Sequence, residues 1–221
     1  MSQIVTITFF NYQGLRQKWT ALTNMGLLPR RIAKVPGLSF FKLMGSGRDG
    51  FSIKPNWGTY SLLAIWDNPA AAEAYFQSDL FARQKAQSTD HTTHYLRAFQ
   101  AHGLWDGAQP FELNGQVQAG DPIAVITRAT IKLRHLRTFW KDVPQVSQSI
   151  MQKEGRRFSI GIGERPLVMQ ATFSIWDSSE QMKDFAYKSK YHKEVVAKTR
   201  RLGWYKEEMF VRFELNPKIV L

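Results

Sequence analysis

The chain of 221 residues is long enough to bury its own hydrophobic core, and it contains no cysteine. The lack of cysteine excludes disulfides, thiolate nucleophiles, iron–sulfur clusters and a thiolate-ligated haem. The formal net charge is +12, but basic and acidic residues are interleaved and no nucleic-acid motif occurs, so we expect no nucleic-acid partner. An anionic membrane surface is the better candidate for a charged partner.

The N-terminal residues alternate in polarity as a strand does and lack the features of a signal peptide. No apolar run approaches the roughly 20 residues that span a bilayer. We therefore predict a cytoplasmic protein that can make peripheral contact with a membrane surface.

In chain order, the first predicted elements are a strand over residues 4–10, a helix around Trp19, and a strand that ends in Ile-Trp-Asp at 65–67. A helix follows this tripeptide and ends near Thr89. Asp, Asn or Ser residues directly after the tryptophan can cap such a helix.

The second half repeats this pattern. It has a strand over 123–131, a helix around Trp140, the tripeptide again at 175–177, and a helix that ends near Thr199. From the tripeptide onward the two copies align without a gap at an offset of 110 residues. The chain is therefore predicted to be a tandem duplication.

Each copy is predicted to run strand, helix, strand, strand, helix, strand, which is the order of a ferredoxin-like α+β unit. The first unit covers residues 1–99, a linker covers 100–120, and the second unit covers 121–221. Two such sheets pack face to face or close into a barrel with the helices outside. We predict a pseudo-dimer of the dimeric α/β-barrel type within one chain.

When the last helices of the two copies are aligned, His192 stands where the first copy has Ala82. At helical spacing, His192 shares an apolar face with Val195 and Thr199. This inward histidine is either a core residue that packs or a ligand for iron.

Three other groups have two interpretations each. His91 and His94 are spaced as two metal ligands on a helix, or they lie in a solvated helix end. The glycine-rich segment 45–50 either holds an anion with Arg48 or is a loop between strands. Arg128 is a donor that lines a cleft, or it faces solvent.

Motifs of hydrolases, zinc proteases and dinucleotide-binding enzymes are missing. Several segments instead resemble, in the same order, the spheroidene monooxygenases, which are bacterial carotenoid ketolases. The resemblance covers roughly residues 38–213 and is carried by the segments 42–48, 51–55, 102–107, 127–131, 159–164, 170–176, 185–188 and 203–210.

This resemblance implies a haem-dependent monooxygenase that introduces a keto group into an acyclic carotenoid with dioxygen and external electrons. His192 matches a family histidine and is the implied iron ligand, with His102 and His135 as fallbacks. Arg48, Lys54 and Arg128 lie in family-like segments. They are candidates for binding the haem propionates, and Arg128 is also the candidate catalytic residue.

A separate ferredoxin-type electron donor is implied as well, because the chain has no flavin or iron–sulfur motif of its own. Two alternatives stay open. One is a haem-binding or haem-handling protein without catalysis. The other is a cofactor-free α/β-barrel monooxygenase that acts on small aromatic compounds.

Overall fold

The structure, a computed structural model, describes residues 2–188 and 190–217, and the side chains at 187–194 and 196 lie outside this description. The described strands are β1 (Ile4–Asn11), β2 (Leu38–Gly47), β3 (Pro55–Trp66), β4 (Asp90–Gly103), β5 (Ile123–Ile131), β6 (Arg156–Arg165), β7 (Met169–Trp176) and β8 (Tyr205–Leu215). The described helices are α1 (Leu15–Leu27), α2 (Pro29–Ile32), α3 (Pro69–Phe76), α4 (Asp79–Gln87), α5 (Leu136–Met151), α6 (Ser179–Lys188) and α7 (Lys190–Leu202).

The strands form one closed barrel in the order β1-β3-β2-β6-β7-β5-β8-β4, and every neighbouring pair is antiparallel. Strands β2 and β6 join the halves on one side through Gly45–Gly163 and Ser46–Ile162. Strands β4 and β8 join them on the other, from Leu96 to Gly103. The predicted pseudo-dimer of the dimeric α/β-barrel type is confirmed, in its barrel form.

The repeated tryptophans confirm the duplication at the level of packing. Trp66 is buried outside the barrel wall, with its ring 5.0 Å from that of Tyr75 on α3. Trp176 is buried in the same way, 5.4 Å from Phe185 on α6. The equivalent helices therefore cover the equivalent strands in both halves.

Helix starts follow the predicted caps. The Asn68 side chain accepts a hydrogen bond from the Ala71 N–H, and Pro69 occupies the first turn of α3. In the second half, the Ser178 hydroxyl accepts from the Gln181 N–H at the start of α6. A side-chain acceptor satisfies an N–H group that has no partner within the helix.

The connection between the halves is shorter than the predicted linker, because β4 continues to Gly103. Trp105 and Phe111 in this connection are buried and pack with the side chains that fill the barrel. Two aromatic residues thus anchor the connection in the barrel interior. No helix in the described part of the chain is long and apolar enough to cross a membrane.

Candidate functional site

A cleft of about 360 Å³ lies between α5 and the loop that joins β2 to β3. Because the loop comes from the first half and the helix from the second, the cleft spans the junction of the two units. Its volume falls in the range of about 300–1,000 Å³ that is common for ligand pockets. It is lined by Arg48, Asp49, Phe51, Ser52, Ile53, Trp140, Val143, Pro144, Ser147, Gln148 and Met151.

The β2–β3 loop is held in place by contacts to the second half. The Phe51 N–H donates to the Ser147 hydroxyl at 3.2 Å, and the Gly161 N–H of β6 donates to the Gly50 carbonyl at 3.1 Å. The Phe51 ring lies 5.6 Å from that of Trp140 on α5. The loop predicted for the glycine-rich segment 45–50 is confirmed only for residues 48–50, because residues 45–47 form the end of strand β2. The contacts of Phe51 and Gly50 fix the distance of this loop from α5.

We expect Gly161→Ala to displace this loop. A Cβ atom at position 161 would lie 2.6 Å from Phe51 Cδ2 and 2.9 Å from the Gly50 carbonyl oxygen. The overlap should lower the free energy of unfolding by about 1–3 kcal/mol, measurable by urea denaturation. The control is Gly26→Ala in α1, where the added atom meets nothing within 4 Å and stability should rise slightly. A Gly161→Ala protein as stable as the wild type would contradict the packing of loop against strand.

Helix α7 packs beside the cleft. Its Val195 belongs to the cluster that includes Phe51 and Trp140, and Lys198 Nζ donates to Asp142 of α5 at 2.5 Å. Position 192 lies one turn before Val195 on the same helix. The His192 side chain lies outside the described residues, so its role as iron ligand stays a prediction.

A second group of polar residues lies inside the barrel, at the end that carries the connection. The Arg128 side chain is 1% exposed, and its Nη1 donates to Glu207 on β8. Its Nε lies 3.5 Å from Glu164 on β6, and its Nη2 lies 3.6 Å from Asp106 in the connection. Lys42 on β2 contacts Asp106 and lies 2.9 Å from Glu164. We call these five residues the barrel-end cluster.

Trp105 completes the surroundings of this cluster. Its indole N–H donates to Glu164 at 2.9 Å, and the Arg128 guanidinium lies 5.5 Å from the centre of its ring. Two cations and three carboxylates give the cluster one net negative charge. The connection is thereby tied to three strands by a tryptophan anchor and by ion pairs.

Electrostatics favour the charged forms in the barrel-end cluster. Burial alone would raise the pKa of Glu207, but backbone N–H groups of Gly107 and Asp106, together with Arg128, hold it below its usual value. Burial alone would lower the pKa of Lys42, but its carboxylate partners Asp106 and Glu164 raise it above the usual value. Each charge therefore depends on its partners.

The predicted site residues fall in different places. Arg48 lines the cleft, whereas Lys54 is exposed at the neck of the same loop, where its carbonyl accepts from the Arg48 N–H at 2.8 Å. The interpretation of Arg128 as facing solvent is wrong, because it points into the barrel. Arg128 also does not line the cleft, so the structure does not bring it together with Arg48.

The interpretation of His91 and His94 as part of a helix end is also wrong, since both lie in β4. Residues three apart on a strand point to opposite faces. His91 accordingly contacts Phe81 under α4, while His94 contacts Phe173 in the barrel. Burial lowers the pKa of His94. Among the described residues, no group of three or more histidine or acidic side chains could hold a metal ion.

The comparisons give consistent relatives over nearly the whole chain, although no protein-family model matches it. The chain is 34% identical over 216 residues to the spheroidene monooxygenase of Cereibacter sphaeroides, covering 96% of this chain and 67% of that protein. It is 32% identical to the spheroidene monooxygenase of Rhodobacter capsulatus, covering 96% of this chain and 90% of that protein. An aldoxime dehydratase solved with butyraldoxime has a similar fold, with a TM-score of 0.64, 12% identity, and coverage of 96% and 79%.

Proposed function

Because this chain belongs to the spheroidene monooxygenase family and is therefore a monooxygenase, we propose that it introduces a keto group into a carotenoid or a similar apolar polyene. The observation that carries this proposal is the similarity to the Rhodobacter capsulatus enzyme along 90% of its length. The mostly apolar cleft at the junction of the two units agrees with an apolar ligand.

The proposed reaction needs dioxygen and electrons from outside. Each oxygenation consumes one dioxygen molecule, two electrons and two protons. One oxygen atom is inserted into a C–H bond to give a hydroxyl group, and the other is released as water. Two oxygenations at one methylene carbon give a geminal diol, which loses water to leave the ketone. The chain has no cysteine for an iron–sulfur centre, so we propose a separate ferredoxin-type donor. The net charge of +12 favours an acidic partner of this kind.

Haem is the proposed cofactor, and the described residues beside α5 and α7 fit it. Phe51 and Trp140 offer apolar surface for a flat macrocycle, and Arg48 offers a cation for a propionate. Trp204 belongs to the same cluster as both aromatic residues, and its buried indole N–H has no acceptor among the described side chains. Haem, when bound, would supply the oxygen-activating iron.

The chain's own residues would hold and shield this group. His192 would ligate the iron, as the family resemblance implies. Val195, one turn later on α7, packs in the cluster that includes Phe51 and Trp140. Phe51 and Trp140 would exclude water from the ring. Arg128 is committed to three carboxylates elsewhere in the barrel, so we assign it to the stability of the barrel end and not to the reaction.

The absorption spectrum of the purified protein tests the cofactor, and turnover tests the reaction. We expect a Soret band, about one haem per chain, and a ketone product from an acyclic carotenoid when ferredoxin and its reductase are supplied. A colourless protein that oxidises small aromatic compounds would support the cofactor-free alternative. A haem-loaded protein that gives no product with any polyene would support haem handling without catalysis.

Arg48→Ala should weaken haem binding roughly tenfold, as expected for the loss of about 1.4 kcal/mol from one charge-assisted pair. Lys54→Ala, at the neck of the same loop, tests the second candidate for a propionate. Haem titration followed by Soret absorbance measures both affinities. The control is Arg83→Ala on α4, an exposed cation outside the cleft lining. Haem retention unchanged in both loop variants would exclude these cations as propionate partners.

A further inference from the structure

Helix α1 leaves apolar side chains uncovered on its outer side. Leu15 is 88% exposed, Trp19 71%, Leu22 40% and Leu27 60%. The first three follow one another at four and three residues, so they form one stripe along the helix. The opposite side of α1 packs on the barrel through Ala21, which is buried. The stripe is therefore a second apolar face beyond the one that folding uses.

Comparison with the second half of the chain shows that the stripe lacks the contacts that cover the equivalent tryptophan there. Trp140 occupies in α5 the place that Trp19 occupies in α1, yet Trp140 packs against Phe51 and donates its indole N–H to the Leu167 carbonyl at 3.1 Å. In the first half, no described segment covers Trp19 in this way. Of two equivalent tryptophans, Trp140 thus has contacts within the chain, whereas Trp19 is 71% exposed.

The segment of the chain that carries the stripe has charges of one sign only. Residues 1–48 contain seven Lys and Arg side chains and no Asp or Glu. Arg16 on α1, and Arg30, Arg31 and Lys34 on and after α2, are exposed. No described carboxylate lies within ion-pair distance of these four cations. An anionic partner is therefore complementary to this face.

We propose that α1 and α2 form a docking surface for an anionic lipid bilayer. Leucine and tryptophan side chains enter the boundary between headgroups and acyl chains, while lysine and arginine pair with lipid phosphates. Each basic residue near an anionic leaflet adds to binding. The proposed function supports this surface in one respect, because a polyene substrate is dissolved in lipid and the enzyme must meet it there.

A second copy of the chain fits this face less well. A two-fold contact would place the same patch on both partners, so the exposed arginines of one copy would face those of the other. Like charges at an interface oppose association. The bilayer offers negative charge and an apolar interior together, which this face matches.

Flotation of the full-length protein with vesicles tests the surface. We expect binding to vesicles of phosphatidylcholine mixed with phosphatidylglycerol, weaker binding to phosphatidylcholine alone, and weaker binding at high salt. Leu15→Ala combined with Trp19→Ala should lower the partition coefficient roughly tenfold or more. Arg30→Gln combined with Arg31→Gln should do the same on the anionic vesicles.

Matched controls come from the second half of the chain and the connection. Arg200→Gln combined with Arg201→Gln removes two consecutive exposed arginines from α7, and Leu113→Ala removes a leucine that is 54% exposed beside Glu112. Both should bind vesicles as the wild type does. All variants should oxidise a detergent-dispersed carotenoid at the wild-type rate, so a failure of docking is distinguishable from a failure of the proposed reaction.

The docking surface would be overturned if the α1 and α2 variants floated with vesicles as well as the wild type, or if the wild type did not bind. A change of oligomeric state in the Leu15→Ala, Trp19→Ala protein, without a change in vesicle binding, would identify the stripe as a contact between copies of the chain instead.

Discussion

Replacing Arg128 with methionine should lower the free energy of unfolding by about 3–5 kcal/mol at neutral pH, the cost of removing one partner from a buried ion pair. Methionine fills similar space but leaves Glu207, Glu164 and Asp106 with Lys42 as the one cation of the barrel-end cluster. The charge within the barrel end would change from one to two net negative charges. Urea denaturation followed by tryptophan fluorescence measures the loss.

The pH dependence of this loss follows from Glu207. Its pKa is lower in the folded protein than its usual value, in spite of burial, because backbone N–H groups and Arg128 stabilise the carboxylate. A lowered pKa contributes stability above the unfolded pKa, and this contribution disappears as the pH falls through the folded pKa. Without Arg128 the carboxylate protonates more readily. The difference between wild type and Arg128→Met should therefore shrink as the pH falls through the acid range.

Two further variants separate this effect from general loss of charge. Arg157 pairs with Asp177 at 2.5 Å but is 53% exposed, so Arg157→Met should cost no more than about 1 kcal/mol. Adding Glu207→Gln to Arg128→Met should restore part of the lost stability, since it removes a half-buried carboxylate that has lost its cation. If Arg128→Met were no less stable than Arg157→Met, the barrel-end cluster would not contribute to stability.

The duplication was predictable because the same residue types recur at equivalent positions in the two halves of the sequence. The alternation before each Ile-Trp-Asp tripeptide and the cap residues after it are local signals, and strands and helices occur where these signals indicate. The one helix predicted after each tripeptide is, however, two helices in each half. The barrel could be expected as one of two packings. Whether the two sheets pack face to face or close into a barrel depends on the pairing of β2 with β6 and of β4 with β8. These pairings join segments that are distant in the sequence.

The barrel-end cluster was not predictable in the same way, although a local signal exists. Lys42, Arg128, Glu164 and Glu207 each occupy an inward position in a strand whose other inward residues are mainly apolar. In a single strand sequence, one such charged residue suggests that its side chain is exposed to solvent or lies at the edge of the sheet. Only the closed barrel brings four of them to one end, where opposite charges compensate one another.

The histidines show the limit of a helical interpretation. The polar segment around His91 and His94 resembles a helix end by composition, but it pairs with β1 as a strand. Side chains alternate every two residues in a strand, whereas in a helix they repeat every 3.6 residues. The rings of His91 and His94 therefore lie on opposite faces of the sheet. For α1, composition does not distinguish a covered from an uncovered face, since Trp19 and Trp140 occur in similar contexts. Their different exposure is a property of the folded chain.

Replacing His192 with alanine should remove the native Soret spectrum, because His192 is the residue proposed to ligate the iron. The fold should survive, since Ala82 occupies the equivalent place in α4. Circular dichroism and the urea midpoint of the haem-free variant should therefore match those of the haem-free wild type. Ketone formation should fall to background.

Added imidazole distinguishes a lost ligand from a collapsed site. A small molecule that enters the space left by the side chain should restore the Soret band and part of the haem affinity. The controls are His135→Ala, at the start of α5, and His102→Ala, which is exposed on β4. Both should keep the wild-type spectrum. A His192→Ala protein that carries a full complement of haem with an unchanged spectrum would move the axial ligand to one of these two histidines.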